Sequence, residues 1–145
     1  MTTTLAESIG LTLAEARAIA QVACDAAEAG DLEGSRSVLE SLVAINPKDC
    51  AVRAALGTVY QKLELLPEAE AAYTVAVERG DHPIARINRA ELRLKRGDDR
   101  GLDDLQTLVQ ADPKLVQAPA SRARRLLDMR LKLKKAPAKA GPARP

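Results

Sequence analysis

The chain has 145 residues, which is the size of a single domain. Ala and Leu dominate it, and its aromatic residues are two tyrosines. Because Ala and Leu favour helices, whereas strands favour aromatic and β-branched residues, this composition predicts an all-helical globular fold. No stretch approaches about eighteen apolar residues without a charge, which excludes a membrane-spanning protein. Two cysteines are too few for a disulfide scaffold.

The net charge of +2 conceals two regions of opposite sign. Residues 119–145 carry nine Lys or Arg and one Asp, a net +8, and the remaining residues carry a net −6. Such an asymmetry can serve docking within the molecule, an acidic partner, nucleic acid or an anionic membrane, or can simply keep a tail in solution. The first residues lack a basic segment with an apolar core, and Cys24 and Cys50 show no sign of pairing, so we expect a cytoplasmic protein.

Capping signals and breakers divide the first part of the chain into helices. The segments Thr4-x-x-Glu7 and Thr12-x-x-Glu15 both spell a capping box at a helix start. We predict a short first helix that ends at Gly10, then helices over about 13–29 and 32–45. Their apolar faces, read at three-and-four spacing, are Ile19, Val22, Ala23 and Ala26 on the first and Val38, Leu39, Leu42 and Ile45 on the second.

The same pattern occurs twice more. We predict helices over about 50–63 and 67–80, and then a pair broken at Gly97-Asp98-Asp99 and ended by Asp112-Pro113. The closing turns Asn46-Pro47, Gly80-Asp81 and Asp112-Pro113 recur at a nearly fixed interval. Two helices in a period of about 34 residues indicate a helical solenoid.

The middle unit carries the clearest family pattern. Its segments Leu56-Gly57-x-x-Tyr60 and Ala69-x-x-x-Tyr73-x-x-Ala76 resemble the tetratricopeptide-repeat consensus. The resemblance implies a right-handed solenoid in which Gly57 and Ala69 face each other where the paired helices cross.

The domain organisation follows from these signals. Residues 1–11 are expected to form a short N-terminal helix, and residues 12–118 three repeats, at about 12–47, 48–82 and 83–113. Residues 119–135 are expected to form a basic capping helix with Ser121 as its N-cap, and residues 136–145 a disordered tail rich in Pro and Ala. The apolar residues predicted to cover the last repeat are Leu126, Leu127, Met129, Leu131 and Leu133.

The order of these parts resembles class II chaperones of bacterial type III secretion systems, which hold translocator subunits before export. The run Asn88–Gly97 looks like the first helix of their third repeat, and residues 131–135 are similar to their basic C-terminal end. The resemblance implies a concave groove that binds an extended client segment. Those chaperones line the groove with Tyr and Phe, whereas the first repeat here offers small residues, which bury less apolar area.

In this repeat architecture the first helix of each pair lines the concave face. Asn88 is a candidate for hydrogen bonds to a ligand backbone, and Arg17 and Lys95 are candidates for pairing with carboxylates. The alternative is that these are ordinary solvated residues on helices. The full set predicted to bind a partner is Arg17, Ala20, Cys24, Ala27, Ala54, Thr58, Gln61, Asn88, Leu92 and Lys95.

The basic C-terminal segment supports a second hypothesis, an electrostatic tether that binds nucleic acid or an anionic surface. The absence of aromatic residues there argues against recognition of single-stranded nucleic acid or of a membrane interface. The basic patch consists of Arg122, Arg124, Arg125, Arg130, Lys132, Lys134 and Lys135.

An enzyme is the least supported class. The single histidine, His82, has no Cys or His partners for a zinc site and no nucleophile to activate, and the chain has no Gly-rich phosphate loop. We therefore predict no catalytic site, no metal and no cofactor. The favoured function is a protein–protein interaction module, either an assembly adaptor or a type III secretion-like chaperone, whose partner is another protein. Packing of its Ala-rich helices against a second copy stays open.

Overall fold

Eight helices make up the part of the chain, residues 5–136, that a computed structural model describes. They are α1 (Leu5–Ser8), α2 (Leu13–Glu28), α3 (Leu32–Ile45), α4 (Cys50–Lys62), α5 (Leu66–Gly80), α6 (Pro83–Lys95), α7 (Arg100–Ala111) and α8 (Ala118–Lys135). No strand occurs among these residues, which confirms the predicted all-α class. Of the predicted disordered tail, residues 137–145 lie outside the described range.

Side-chain caps begin α2, α3 and α4, and the capping box predicted at Thr12 is one of them. At α2 the backbone N–H of Glu15 donates to Thr12 Oγ1 (3.2 Å), and the backbone N–H of Thr12 donates to Glu15 Oε2 (2.9 Å), so this capping box is complete. Asp31 and Asp49 cap α3 and α4 with their carboxylates. Thr4 of the other predicted box lies outside the described residues.

The helices pack as consecutive antiparallel pairs, α2–α3, α4–α5 and α6–α7, with α8 against the last pair. The first helix of each pair also touches the first helix of the next pair, in the order α2, α4, α6 and α8, which we call the inner layer. The outer helices α3, α5 and α7 scarcely touch one another within the described range. Because the inner helices lie closer together, the stack curves toward the inner layer.

The apolar face of α2 differs from the prediction. Ala16, Ala20, Ala23 and Ala27 are buried, whereas Ile19 and Val22 are exposed by 42% and 69%. In the next pair Leu56, which corresponds to Val22, packs into the core that α3 provides. Since α2 has no preceding pair, the aliphatic side chains at these positions have no such outer helix to cover them. The buried side chains of α2 are alanines, which permit its close approach to α3 and α4.

Gly57 makes room for an aromatic ring rather than for Ala69. A Cβ at Gly57 would lie 2.6 Å from Cε1 and 2.7 Å from Cδ1 of Tyr73, closer than atoms pack in proteins. Tyr73 is fully buried as a result, and Ala69 packs beside it in the same cluster. In the middle pair, the tetratricopeptide pattern therefore corresponds to a tyrosine ring, Tyr73, that packs against the backbone of α4 at Gly57.

The third pair contains a buried charged group between its two helices. Asp104 on α7 is 3% exposed and accepts two hydrogen bonds from Arg89, at 2.6 and 2.9 Å. Arg93 and Arg86 on the same helix as Arg89 also reach this carboxylate, at 3.2 and 3.4 Å. The two helices of this pair approach closely at Gly101 on α7, where a Cβ would lie 2.6 Å from the backbone oxygen of Ala90 on α6.

The same arginines connect the third pair to the second. Arg93 Nε donates to Glu70 on α5 (2.8 Å), and Arg89 Nη1 donates to Thr74 on α5 (3.3 Å). The arginines of α6 therefore bond to a carboxylate on each neighbouring outer helix, Glu70 on α5 and Asp104 on α7. A buried arginine is tolerated in this interface because its charge is paired and hydrogen-bonded.

The last helix, α8, begins before the predicted N-cap. Gln117 is its N-cap instead, Pro119 lies in its first turn, and the Ser121 hydroxyl donates to the Leu115 carbonyl (2.8 Å) from inside the helix. Ala120 and Ala123 are the buried residues that seat it on the third pair.

Of the five apolar residues predicted to cap the stack, Leu126 and Leu127 pack against the core of the third pair. Met129, Leu131 and Leu133 are instead exposed by 59%, 56% and 69%. The prediction for these three is wrong because α8 packs on the third pair through the side that carries Ala123 and Leu127, and no further described helix covers the rest of it.

Replacing Asp104 with Asn should destabilise the protein strongly. The substitution leaves the buried guanidinium of Arg89 without its counter-charge, and breaking a buried pair in this way costs about 3–5 kcal/mol. Urea denaturation measures the loss. Asp103→Asn is the matched control, because Asp103 is the exposed neighbour on the same helix and should change stability by less than about 0.5 kcal/mol. Equal stability of the two variants would contradict a structural role for the cluster.

His82 caps α6 and makes stability dependent on pH. Its Nδ1 accepts the backbone N–H of Ala85 (3.3 Å), and burial lowers the pKa of the imidazole below its usual 6.5, against a smaller opposing effect of Asp49. The folded state therefore favours the neutral ring. This contribution is complete above about pH 6.5 and is lost as the pH falls through the lowered pKa, because the unfolded chain binds the proton more readily.

The variant His82→Asn keeps a capping oxygen but does not titrate. Between about pH 7.5 and pH 5 the wild-type protein should lose stability relative to this variant, by at most about 1.4 kcal/mol per pH unit. Thermal melts at matched ionic strength measure the difference. Parallel stability curves for the two proteins would contradict the assignment.

Candidate functional site

The inner layer places the residues predicted to bind a partner in two different environments. Cys24, Thr58, Gln61 and Asn88 are half-buried, and Arg17 and Lys95 are exposed. The other four are buried in the hydrophobic core, so their side chains contribute to helix packing and offer a partner almost no surface. These are Ala20, Ala27, Ala54 and Leu92.

The half-buried polar residues meet around the hydroxyl of Tyr73. This hydroxyl lies 2.9 Å from Gln61 Oε1 and 3.3 Å from Thr58 Oγ1, both on α4, and accepts a hydrogen bond from the Asn88 amide on α6 (3.3 Å). Three of the predicted residues, from two inner helices, thus converge on one tyrosine of an outer helix. We call Thr58, Gln61, Tyr73 and Asn88 the inner polar cluster.

The chemistry of the inner polar cluster is that of a neutral hydrogen-bonding site. Burial raises the pKa of the Tyr73 hydroxyl, which therefore stays protonated and donates to Gln61. Thr58 donates its own proton to the Ala54 carbonyl (3.3 Å). Within the described residues these bonds leave the amide nitrogen of Gln61 as a donor and the carbonyl oxygen of Asn88 as an acceptor for a ligand.

The third pair and α8 form a shallow depression that the sequence does not predict. A cavity of about 350 Å³ is lined by Glu91, Leu94 and Lys95 on α6 and by Leu126 on α8. Glu91 is held there by Arg122, whose Nε lies 2.7 Å from the Glu91 carboxylate.

The position of Glu91 follows from the spacing of the inner helices. The buried residues of α4 recur on α6 after an interval one residue shorter than the usual repeat period of about 34 residues, so that Val59 corresponds to Leu92. Glu91, and not Leu92, therefore occupies the position of Thr58. A prediction that assumes a constant period of about 34 residues places Leu92 there and misses this shift of one position.

Two other predicted residues have defined surroundings. Arg17 Nε lies 3.4 Å from Asp49, the buried cap of α4, so one inner cation is already engaged by the next pair. Burial, with added effects of Asp25 and Glu28, raises the pKa of the Cys24 thiol. Because the thiolate is the reactive form of cysteine, Cys24 is suited to packing at the inner face rather than to covalent chemistry.

The basic patch lies along α8 and is partly neutralised. Arg122 pairs with Glu91 (2.7 Å), Arg124 with Asp128 (3.5 Å) and Arg130 with Asp99 (3.4 Å). The other members are exposed along the same helix, namely Arg125, Lys132, Lys134 and Lys135.

Other site types find no support in the described range. Between residues 5 and 136 no group of three or more His, Cys, Asp or Glu side chains is arranged to hold a metal ion. Over the same residues, no helix combines the length and apolarity that crossing a membrane requires.

Solved structures share this fold, although no protein-family model and no curated protein sequence matches the chain. The type III secretion translocator chaperone SycD of Yersinia enterocolitica superposes with a TM-score of 0.76 at 19% identity, over 89% of this chain and 99% of SycD. PcrH in complex with the chaperone-binding region of PopD gives 0.72 at 22% identity, over 86% and 97%. The first tetratricopeptide repeat of Spaghetti (RPAP3), bound to the HSP90 peptide SRMEEVD, gives 0.68 at 14% identity, over 81% and 93%.

These similarities confirm the predicted fold, a tetratricopeptide-repeat-like solenoid that resembles the translocator chaperones. The matched region covers most of this chain and nearly all of SycD and PcrH, so the likeness concerns the whole architecture and not one helix pair. Because the sequence identities are low, the likeness establishes the fold alone.

Proposed function

We propose that the chain is a non-enzymatic binding protein whose inner face holds an extended segment of a client protein. The observation that carries this proposal is the inner polar cluster, in which side chains of α4, α5 and α6 converge on the Tyr73 hydroxyl. A site of neutral hydrogen-bonding groups without an activated nucleophile suits recognition of a chain rather than catalysis.

An extended segment fits the chemistry of the cluster. The backbone of such a segment presents both N–H and C=O groups that need partners, and side-chain amides satisfy both kinds. Gln61 supplies a donor and Asn88 an acceptor on adjacent inner helices. These amides would hold the backbone, while the depression between Leu94 and Leu126 would take an apolar side chain.

The small residues of the inner face limit the apolar area that a client can bury there. The inner face near α2 offers Cys24 and the edges of buried alanines rather than aromatic rings. Each missing aromatic residue withholds roughly 150–250 Å² of contact area. A smaller apolar contact gives weaker binding and faster release, which suits a protein that holds its client and then releases it.

The comparisons favour a chaperone over a permanent assembly subunit. SycD and PcrH are chaperones of similar fold, solved with segments of YopD and of PopD and PopB, respectively. We therefore infer a role of the translocator-chaperone type, in which the inner face protects a client segment before its transfer. This inference rests on likeness of fold together with the inner polar cluster.

The proposal is tested in two steps. Affinity capture from the native host identifies the client, and limited proteolysis of the complex defines the protected segment. Titration calorimetry then compares binding of that segment to the wild type and to Asn88→Ala. Because the variant loses a hydrogen bond of about 1–1.5 kcal/mol, we expect binding about five- to tenfold weaker.

Thr107→Ala is a matched control, because Thr107 is exposed on the outer helix α7 and donates to its own helix backbone (2.9 Å). It should bind the segment as tightly as the wild type. Unchanged affinity of Asn88→Ala and also of Tyr73→Phe, with both variants folded, would refute binding at the inner polar cluster.

A further inference from the structure

A second groove, separate from the inner polar cluster, lies between α7 and α8. It encloses about 470 Å³. Its apolar lining comes from Leu102 and Val109 on α7 and from Leu127 and Leu131 on α8. Leu131 is 56% exposed, so water covers a side chain that the helix presents to the groove.

The groove occupies a defined place in the repeat. In the three helix pairs an outer helix packs on each inner helix, as α3 does on α2, α5 on α4 and α7 on α6. The inner helix α8 continues this order, but no described residue supplies the outer helix that would pack on it. Its free flank, together with α7, forms the groove. The architecture therefore favours a helix as the occupant.

The rim of the groove is basic. Arg124, Arg130 and Lys134 line it from α8, and α7 contributes the neutral amides of Gln106 and Gln110. The acidic lining residue, Asp128, also on α8, lies 3.5 Å from Arg124, and Arg130 lies 3.4 Å from Asp99. Three cations against one carboxylate in the lining still leave the rim positive. The charges of the rim thus select for acidic side chains on whatever helix covers the apolar floor.

We propose that this groove binds an acidic amphipathic helix of a partner protein, which completes the fourth helix pair. The apolar face of that helix would cover Leu127 and Leu131, and its Asp or Glu residues would meet the basic rim. The chain's own residues 137–145 do not fit this description. They contain three prolines, Lys139 and Arg144 and no acidic residue, so they share the charge sign of the rim.

The test uses a fluorescein-labelled designed peptide, a helix with Leu on one face and Glu on both flanks, and measures its binding to the full chain by anisotropy. The variant Leu131→Glu should bind about tenfold more weakly or worse, because it places a like charge on the apolar floor. Leu133→Glu is the matched control. Leu133 is 69% exposed on the same helix but does not line the groove, so binding should change by less than about twofold.

Charge recognition is tested separately. The same peptide with Lys in place of Glu should not bind, and Lys134→Glu should weaken binding of the acidic peptide without affecting the fold. Asn88→Ala should bind the acidic peptide like the wild type, which separates this groove from the client site of the proposed function. Circular dichroism melts confirm that each variant is folded.

Several results would overturn the proposal. Equal effects of Leu131→Glu and Leu133→Glu would mean that the peptide binds the surface of α8 without using the groove. Equal binding of the Lys peptide would remove the role of the basic rim. Sedimentation that shows a dimer sensitive to Leu131→Glu, or binding to phosphatidylserine vesicles that outcompetes the acidic peptide, would assign the groove to a second copy or to a membrane surface.

Discussion

The packing of Tyr73 against Gly57 connects the core of this protein to its inner face. The ring fills the space that a missing Cβ leaves on α4, and its hydroxyl emerges among Thr58, Gln61 and Asn88. The contact that joins the helices of the second pair therefore also positions the polar groups that we assign to client binding. Packing of the second pair and placement of the site residues are therefore linked through one side chain.

The interfaces between successive pairs differ in character. Alanines and branched aliphatic residues fill the first one, where α2 and α3 meet α4, and it is held together by burial of apolar surface. The interface between the second and third pairs adds the arginines of α6, held between Glu70 and Asp104. These polar bonds, from Arg93 to Glu70 and from Arg89 to Thr74, cross from the third pair to the second.

The regular parts of the molecule are predictable from the sequence. Capping residues, prolines and glycines mark the helix boundaries, and the pattern of Leu56, Gly57 and Tyr73 identifies the repeat, because these are local signals with local causes. Periodicity also singles out Thr58, Gln61 and Asn88 as residues of the inner helices. It does not predict their convergence on Tyr73, since the sequence shows which helix face a residue occupies but not what reaches it from the neighbouring helix.

The errors in the prediction have physical causes of three kinds. The exposed Ile19 and Val22 lie at the start of the stack, where no preceding pair covers them. The shorter interval between α4 and α6 moves the third pair by one position, so that Glu91 replaces Leu92 at the inner face. No described helix packs on the outer flank of α8, so Leu131 and Leu133 stay outside the core. In each case the periodic pattern continues after the partner surface has ended or moved.

The inner face and the groove between α7 and α8 use different flanks of the last inner helix, so the two proposed sites do not overlap. The assignment of the client to the inner face is central. The most direct measurement is a titration of the ¹⁵N-labelled protein with the client segment, followed through its backbone amide resonances. Shifts concentrated on α4 and α6, around Thr58, Gln61 and Asn88, are predicted. Shifts confined to α3, α5 and α7, with α4 and α6 unchanged, would contradict the account.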